Sequence, residues 1–388
     1  NRMKKTLMVL LWLMLLSSTV WGAPADQTDA TQQVMEKMSL EEINQVVDKI
    51  KAELHENVPG VENLTIQEMA AKGIHINWQQ WWKSLMARFF QEIAANVHLS
   101  GKLLFLAVLC AILQNLQNSF ERSNVSLLTY SICFSFLAVI ALTSIYNVLE
   151  LARQTVAQMV DFMQALLPVL ISLLAGVGAI TSAALFSPVM LFLTSMVSLL
   201  VKDVVLPLLF LTTVLECVNY LSNTYRLDNL AGVFKQGGMV VLSLALVVFI
   251  GVVTIQGVSG GVSDGIALRT AKYATATFIP VVGKMFSDTV ELVMGASLLL
   301  KNTVGILGVL AVLMICVWPL LKILSFIVVI KLTGALIQPM GDDRMAKCLD
   351  MMGNNLLLIF GAVLTAALMF FLGITMIIGV GNATVMLR

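Results

Sequence analysis

The 388-residue chain carries 24 Lys and Arg against 23 Asp and Glu, and 58% of its residues are hydrophobic while only 12% are charged. With a mean hydropathy of +0.89, these proportions exclude a soluble globular protein, whose surface so few polar side chains could not cover. The composition predicts an all-α, polytopic membrane protein, with lipid as its surroundings and no nucleic-acid partner.

At the N-terminus, Lys4 and Lys5 precede the apolar run Leu7 to Val20, the length of a signal-peptide core and short for a membrane span. Small residues at Gly22, Ala23 and Ala25 offer cleavage sites, so 1–25 is predicted to be a signal peptide; an uncleaved anchor helix is the alternative. Residues 26–99 would then lie outside the cytoplasm, and there 11 acidic residues face 6 basic ones, a net of about −5. Ser39 and Glu42 form a capping box ahead of Ile43, Val46, Val47, Ile50 and Leu54, which recur at helical spacing until Pro59 and Gly60.

A second helix is predicted from Asn77 to His98, with Trp78, Trp81, Trp82, Leu85, Phe89, Ile93 and Val97 on one side. Because indole favours the headgroup region, the three tryptophans are candidate interfacial anchors of a helix that lies along the membrane and feeds the first span. The competing assignment is a core stripe of the ectodomain.

From residue 100 onward the chain reads as a polytopic domain of about eight spans, near 102–117, 125–149, 162–184, 187–202, 204–222, 237–258, 304–333 and 355–380. Six of the eight prolines, at 168, 188, 207, 280, 319 and 339, fall in or beside these runs, where neighbouring helices can satisfy the backbone groups they free. Arg122, Arg153, Lys202, Arg226 and Lys235 sit singly in short loops on alternating sides, so the positive-inside rule gives little orientation.

The polar-flecked segment 259–303 is compatible with a re-entrant or tilted helix pair. Gly257, Gly261 and Gly265 stand at i, i+4 and i+8, a ladder that permits close helix approach. No Gly-Lys-Ser/Thr closes this glycine run, which excludes a phosphate loop. Asp264, Arg269 and Lys272 precede Lys284, Asp288 and Glu291, and the last three share one helical face. Such groups in apolar sequence need a partner or water, so they are candidates for a polar face or pathway; an extramembrane hairpin with an ordinary surface pair is the alternative.

No catalytic, cofactor or metal constellation emerges. His55, His75 and His98 make no metal motif, and Cys110, Cys133, Cys217 and Cys316 sit inside apolar runs. Cys348, in the polar link 341–350, has no evident partner, so no disulfide is expected, and Asp342 and Asp343 read as a solvated loop.

The order of these features, with QNSFERS at 117–123, SAALFSPVMLFL at 182–193, VVLPLLFL at 204–211, VSDGIALRTAKYATATFIPVVGKMFSD at 262–288 and ASLLLKNTVGILGV at 296–309, resembles the stage III sporulation protein AE family of endospore-forming bacteria over nearly the whole chain. The resemblance implies a multi-pass protein of the mother-cell membrane surrounding the forespore, and no enzyme. With the other proteins of the stage III sporulation A operon and a forespore channel protein, it would form a channel or secretion-like complex that sustains late forespore gene expression. Two hypotheses stand beside one another: a subunit of that conduit, which could be a homo-oligomer, or a non-conducting scaffold that recruits partners through its ectodomain.

Overall fold

The computed structural model describes residues 78–119, 124–221, 227–278, 282–340 and 343–386. The signal peptide and the first ectodomain helix lie outside the described residues. Those described are helical, without a strand: α1 (Trp78–Ser119), α2 (Asn124–Gly176), α3 (Ile180–Ser198), a π-helical segment (Leu199–Val205), α4 (Leu206–Leu221), α5 (Asp228–Phe278), α6 (Val282–Ile337), a 3-10 turn (Gln338–Met340) and α7 (Asp343–Met386).

Six of these stretches are long and apolar enough to cross a membrane, with α3, the π-helical segment and α4 counting as one. The eight apolar runs predicted from sequence thus fall on fewer, longer helices. Runs 125–149 and 162–184 lie largely on α2, which crosses the polar stretch between them unbroken and keeps Pro168 inside it. Runs 187–202 and 204–222 are joined through the π-helical segment. The expected helix pair at 259–303 is the place where α5 runs down to Phe278 and α6 sets out from Val282. Likewise the Trp-rich helix is not separate from the first span: α1 is continuous through residue 99.

Contacts fix the helix directions. Asn96 donates to Ser325 Oγ at 3.2 Å and Ser100 pairs with Thr333 at 2.6 Å, so α1 runs parallel to α6. Arg88 stacks 4.2 Å over the Trp318 ring one level earlier. In the other sense, Gly176 lies beside Ser297 and Gly308 against Leu166, which makes α2 antiparallel to α6. Glycine provides the closest approaches. A Cβ on Gly308 would strike Leu166, one on Gly305 would strike Ile378, and one on Gly353 would meet Lys331.

The core between these helices is apolar and continuous. Ile145, Val156, Met159, Met163, Leu166 and Leu170 of α2 are all fully buried, as are Val304, Ile323 and Ile330 of α6 and Leu356, Ile359, Val363 and Phe370 of α7. At one end the helices are tied by polar side chains. Asn355, 0% exposed, donates to Glu216 at 2.7 Å and accepts from Lys235 Nζ at 3.0 Å, joining α4, α5 and α7. Lys331 of α6 reaches Asp350 at 2.9 Å and Asn354 at 2.7 Å on α7. Cys348, on the second turn of α7, does have a neighbour: its Sγ lies 4.0 Å from that of Cys217, and both are free thiols. Asp343 opens α7 and pairs with Lys347 at 3.1 Å, so it belongs to a helix terminus rather than a loop.

The first two rungs of the glycine ladder face α7. Gly257 packs on Met376 of α7, and a Cβ on Gly261 would stand 3.8 Å from that of Ala383, an ordinary contact. Gly265 is buried two turns beyond Gly257. The approach least able to give belongs to Gly260, where an added Cβ would run into the short Ser182 side chain and come within 3.3 Å of its Cα. Gly260→Ala should therefore cost about 1–3 kcal/mol from overpacking, whereas Gly261→Ala should be neutral or gain up to about 1 kcal/mol of helix propensity. Thermal unfolding of the detergent-solubilised protein checks this ordering, and equal midpoints for the two variants would contradict it.

Candidate functional site: a polar stripe along the second helix

The π-helical segment has a local cause. Pro207 lacks an N–H and its ring crowds the carbonyl four residues back, which discourages a regular α-helix through 203–207. The chain widens instead: Leu206 N–H bonds to Val201 O, five residues back, and the carbonyl of Lys202 is released from its regular α-helical partner. Arg153 of α2 takes it, donating from Nε at 3.3 Å, while its guanidinium lies 3.5 Å from the Asp203 carboxylate. Such widenings collect at functional sites.

Arg153 borders a larger feature. Thr143, Asn147, Gln154, Gln158, Asp161, Gln164, Pro168 and Ser172 are exposed, with Glu150 half-buried among them. At about 100° per residue these positions fall within one third of the circumference of α2, while the opposite face is the buried core. From Thr143 to Ser172 the stripe extends about 43 Å at 1.5 Å per residue, more than the hydrocarbon thickness of a bilayer. Glu150 accepts a hydrogen bond from Gln154 at 3.3 Å. Asp161 has no hydrogen-bond or ion-pair partner among the described residues.

The outward face of α5 has the same period and the opposite chemistry. Val233, Val240, Leu244, Val247, Ile255, Val258, Val262 and Ile266 are each at least half exposed, as befits contact with lipid. A helix face of glutamines and carboxylates has no such place in hydrocarbon, where each ionised group costs several kcal/mol. The bundle therefore has an apolar side at α5 and a side at α2 that requires water or polar protein.

The residues singled out from sequence are distributed differently. Lys284, Asp288 and Glu291 lie on the helical backbone of α6, and their side chains, with that of Lys272, are outside the described residues. Arg269 is exposed. Trp82 is 51% exposed and stands edge-on to Trp81 at 6.1 Å; the side chain of Trp78 is outside the described residues. Asp264 does not line a face: it is 1% exposed, and its two carboxylate oxygens accept the backbone N–H groups of Thr181 and Ser182, each at 2.9 Å. These are orphan donors of the first turn of α3, whose N-cap residue Ala179 offers no side-chain bond. Gly178, at φ 89°, makes the turn that aims them at α5.

Sequence analysis missed the α2 stripe because its polar residues looked like a link between spans; the period of Asn147, Glu150, Gln154, Gln158 and Asp161 was the available signal. It also missed Lys301, 0% exposed, whose Nζ donates to Ile378 O at 2.8 Å and approaches Asn382 Oδ1 at 3.4 Å near the end of α7. Among the described residues no group of three or more His, Cys, Asp or Glu side chains could hold a metal ion.

The capping role of Asp264 has a direct test. Asp264→Ala leaves the buried Ser182 N–H and the part-buried Thr181 N–H unbonded and should destabilise the protein by about 1–3 kcal/mol, and Asp264→Asn, which keeps one acceptor, by less. Thermal midpoints in detergent measure the order, and an unchanged midpoint for Asp264→Ala would show that the cap contributes nothing.

Residues 62–381 match the family model described as stage III sporulation protein AE. The stage III sporulation protein AE of Bacillus subtilis (strain 168) is 38% identical over 367 residues, covering 94% of this chain and 92% of that protein. No solved structure matches the chain. On both the family match and the near full-length relative, the chain belongs to the stage III sporulation protein AE family.

Proposed function

We propose that this sporulation protein is a membrane component of a conduit between mother cell and forespore, and that α2 forms part of the wall of its aqueous path. The observation that carries the reading is the polar stripe from Asn147 to Ser172, set in a bundle of six helices apolar enough to cross a membrane. One third of one helix cannot enclose water. The path is completed by further copies of this chain or by the other proteins of the stage III sporulation A operon and a forespore channel protein. In this reading the protein resides in the mother-cell membrane surrounding the forespore, supports late forespore gene expression by passage of material, and performs no catalysis. The Lys284, Asp288 and Glu291 face of α6, spaced at i, i+4 and i+7, would extend the polar lining beyond the apolar core.

The test contrasts two faces of the same protein. In membranes of sporulating cells, a cysteine at Gln158 should react with a membrane-impermeant, charged thiol reagent, whereas one at Val247 on α5 should stay protected, since a thiol in lipid does not ionise. Protection at both positions would instead support the scaffold alternative, with the α2 face sealed against partner protein and no water beside it.

A further inference from the structure

The charge carried by the α2 stripe has a sign. Around its middle stand Glu150, Arg153 and Asp161 of α2 with Lys202 and Asp203 of the π-helical segment, three carboxylates against two cations. Arg153 and Asp203 pair with each other at 3.5 Å, and the Arg153 Nε is further committed to the Lys202 carbonyl. Glu150 is held by Gln154 one turn on. Asp161 is exposed and without a partner among the described residues. Its neighbours at i±3 and i±4 on α2 are uncharged, the amides of Gln158 and Gln164 and the methyl groups of Ala157 and Ala165. The group is thus negative by one charge, and Asp161 is its carboxylate without a bonded partner among the described residues, about 12 Å along the helix from the Arg153 pair.

From this we infer that the α2 path favours cationic over anionic solutes, and that Asp161 is the residue that sets the preference. The inference rests on the proposed aqueous path. A carboxylate on a narrow wet wall bounded by low-dielectric protein raises the local concentration of cations and lowers that of anions, and rings of acidic side chains are a recurrent way for pores to select cations. Glutamines on both sides keep the wall wet without adding charge. The solutes that this face would favour are small cations or the positively charged parts of larger molecules; chains of phosphates would be disfavoured.

Two thiol reagents of opposite charge read this directly. The full-length protein with Gln158→Cys, one turn from Asp161, and with the half-buried Cys133 changed to Ser, is labelled in membranes of sporulating cells by a trimethylammonium-ethyl and by a sulfonato-ethyl methanethiosulfonate. Each rate is divided by the same reagent's rate with a free thiol. The cationic reagent should be favoured about tenfold, the factor a single charge roughly 6 Å away gives in water between probes of opposite sign. Asp161→Asn should bring the ratio close to one and Asp161→Lys should reverse it. Reaction with neither reagent would overturn the aqueous path itself and the inference with it. Equal reaction with both reagents, unchanged by the Asp161 substitutions, would leave the path standing and overturn the preference.

Discussion

In a hydrocarbon surrounding no water replaces a lost hydrogen bond, and at three places this bundle meets that constraint with a side chain from a neighbouring helix. At the start of α3, Asp264 supplies from another helix the acceptor that Ala179 lacks. Where Pro207 forces the helix to widen, Arg153 takes the carbonyl set free. Between α6 and α7, the buried Lys301 amine donates to the backbone oxygen of Ile378. Each of these bonds joins two helices, so local repairs of the backbone double as the ties that set helix against helix. The α2 stripe is the exception, because Asp161 and its flanking amides find no such repair among the described residues, and the reading of function follows from that asymmetry.

Much of this architecture was legible in the sequence. Apolar runs longer than a bilayer is thick announced membrane helices, and the glycines near 260 announced close packing, since a missing Cβ has the same meaning in any helix pair. Helix lengths were not legible. The stretch from Glu150 to Asp161 holds enough polarity to read as a loop, and only the identity of the buried residues, Ala152, Val156 and Met159, shows it to be a helix with one wet face. Hydropathy averaged along a chain cannot separate a polar loop from a polar stripe; the angular position of each residue can.

The chemistry of individual charges was harder still. Asp264 and Arg269 look alike in sequence, two ionisable residues in a glycine-rich apolar setting, yet one is enclosed and bonded twice while the other is exposed. What separates them is the Gly178 turn far along the chain, which brings the α3 terminus to Asp264. Gly260 rather than Gly261 makes the tight contact for the same kind of reason. A spacing rule identifies residues on one side of a helix, and the neighbouring helix decides which of them it touches.

The widened turn at 199–205 also has an angular consequence. A π-helical turn holds more residues than an α-helical one, so it delays the winding of all that follows by roughly one residue, or about 100°. Upstream, Phe186, Met190, Leu193 and Val197 point inward; downstream, Leu209, Thr213 and Cys217 do so, on a stripe that a regular α-helix would have turned away from the core. The segment works as a phase shifter. It lets one membrane-crossing stretch present two differently aimed seams, the first toward the Asp264 end of α5 and the second toward Lys235 and Asn355, without a loop whose backbone would need water.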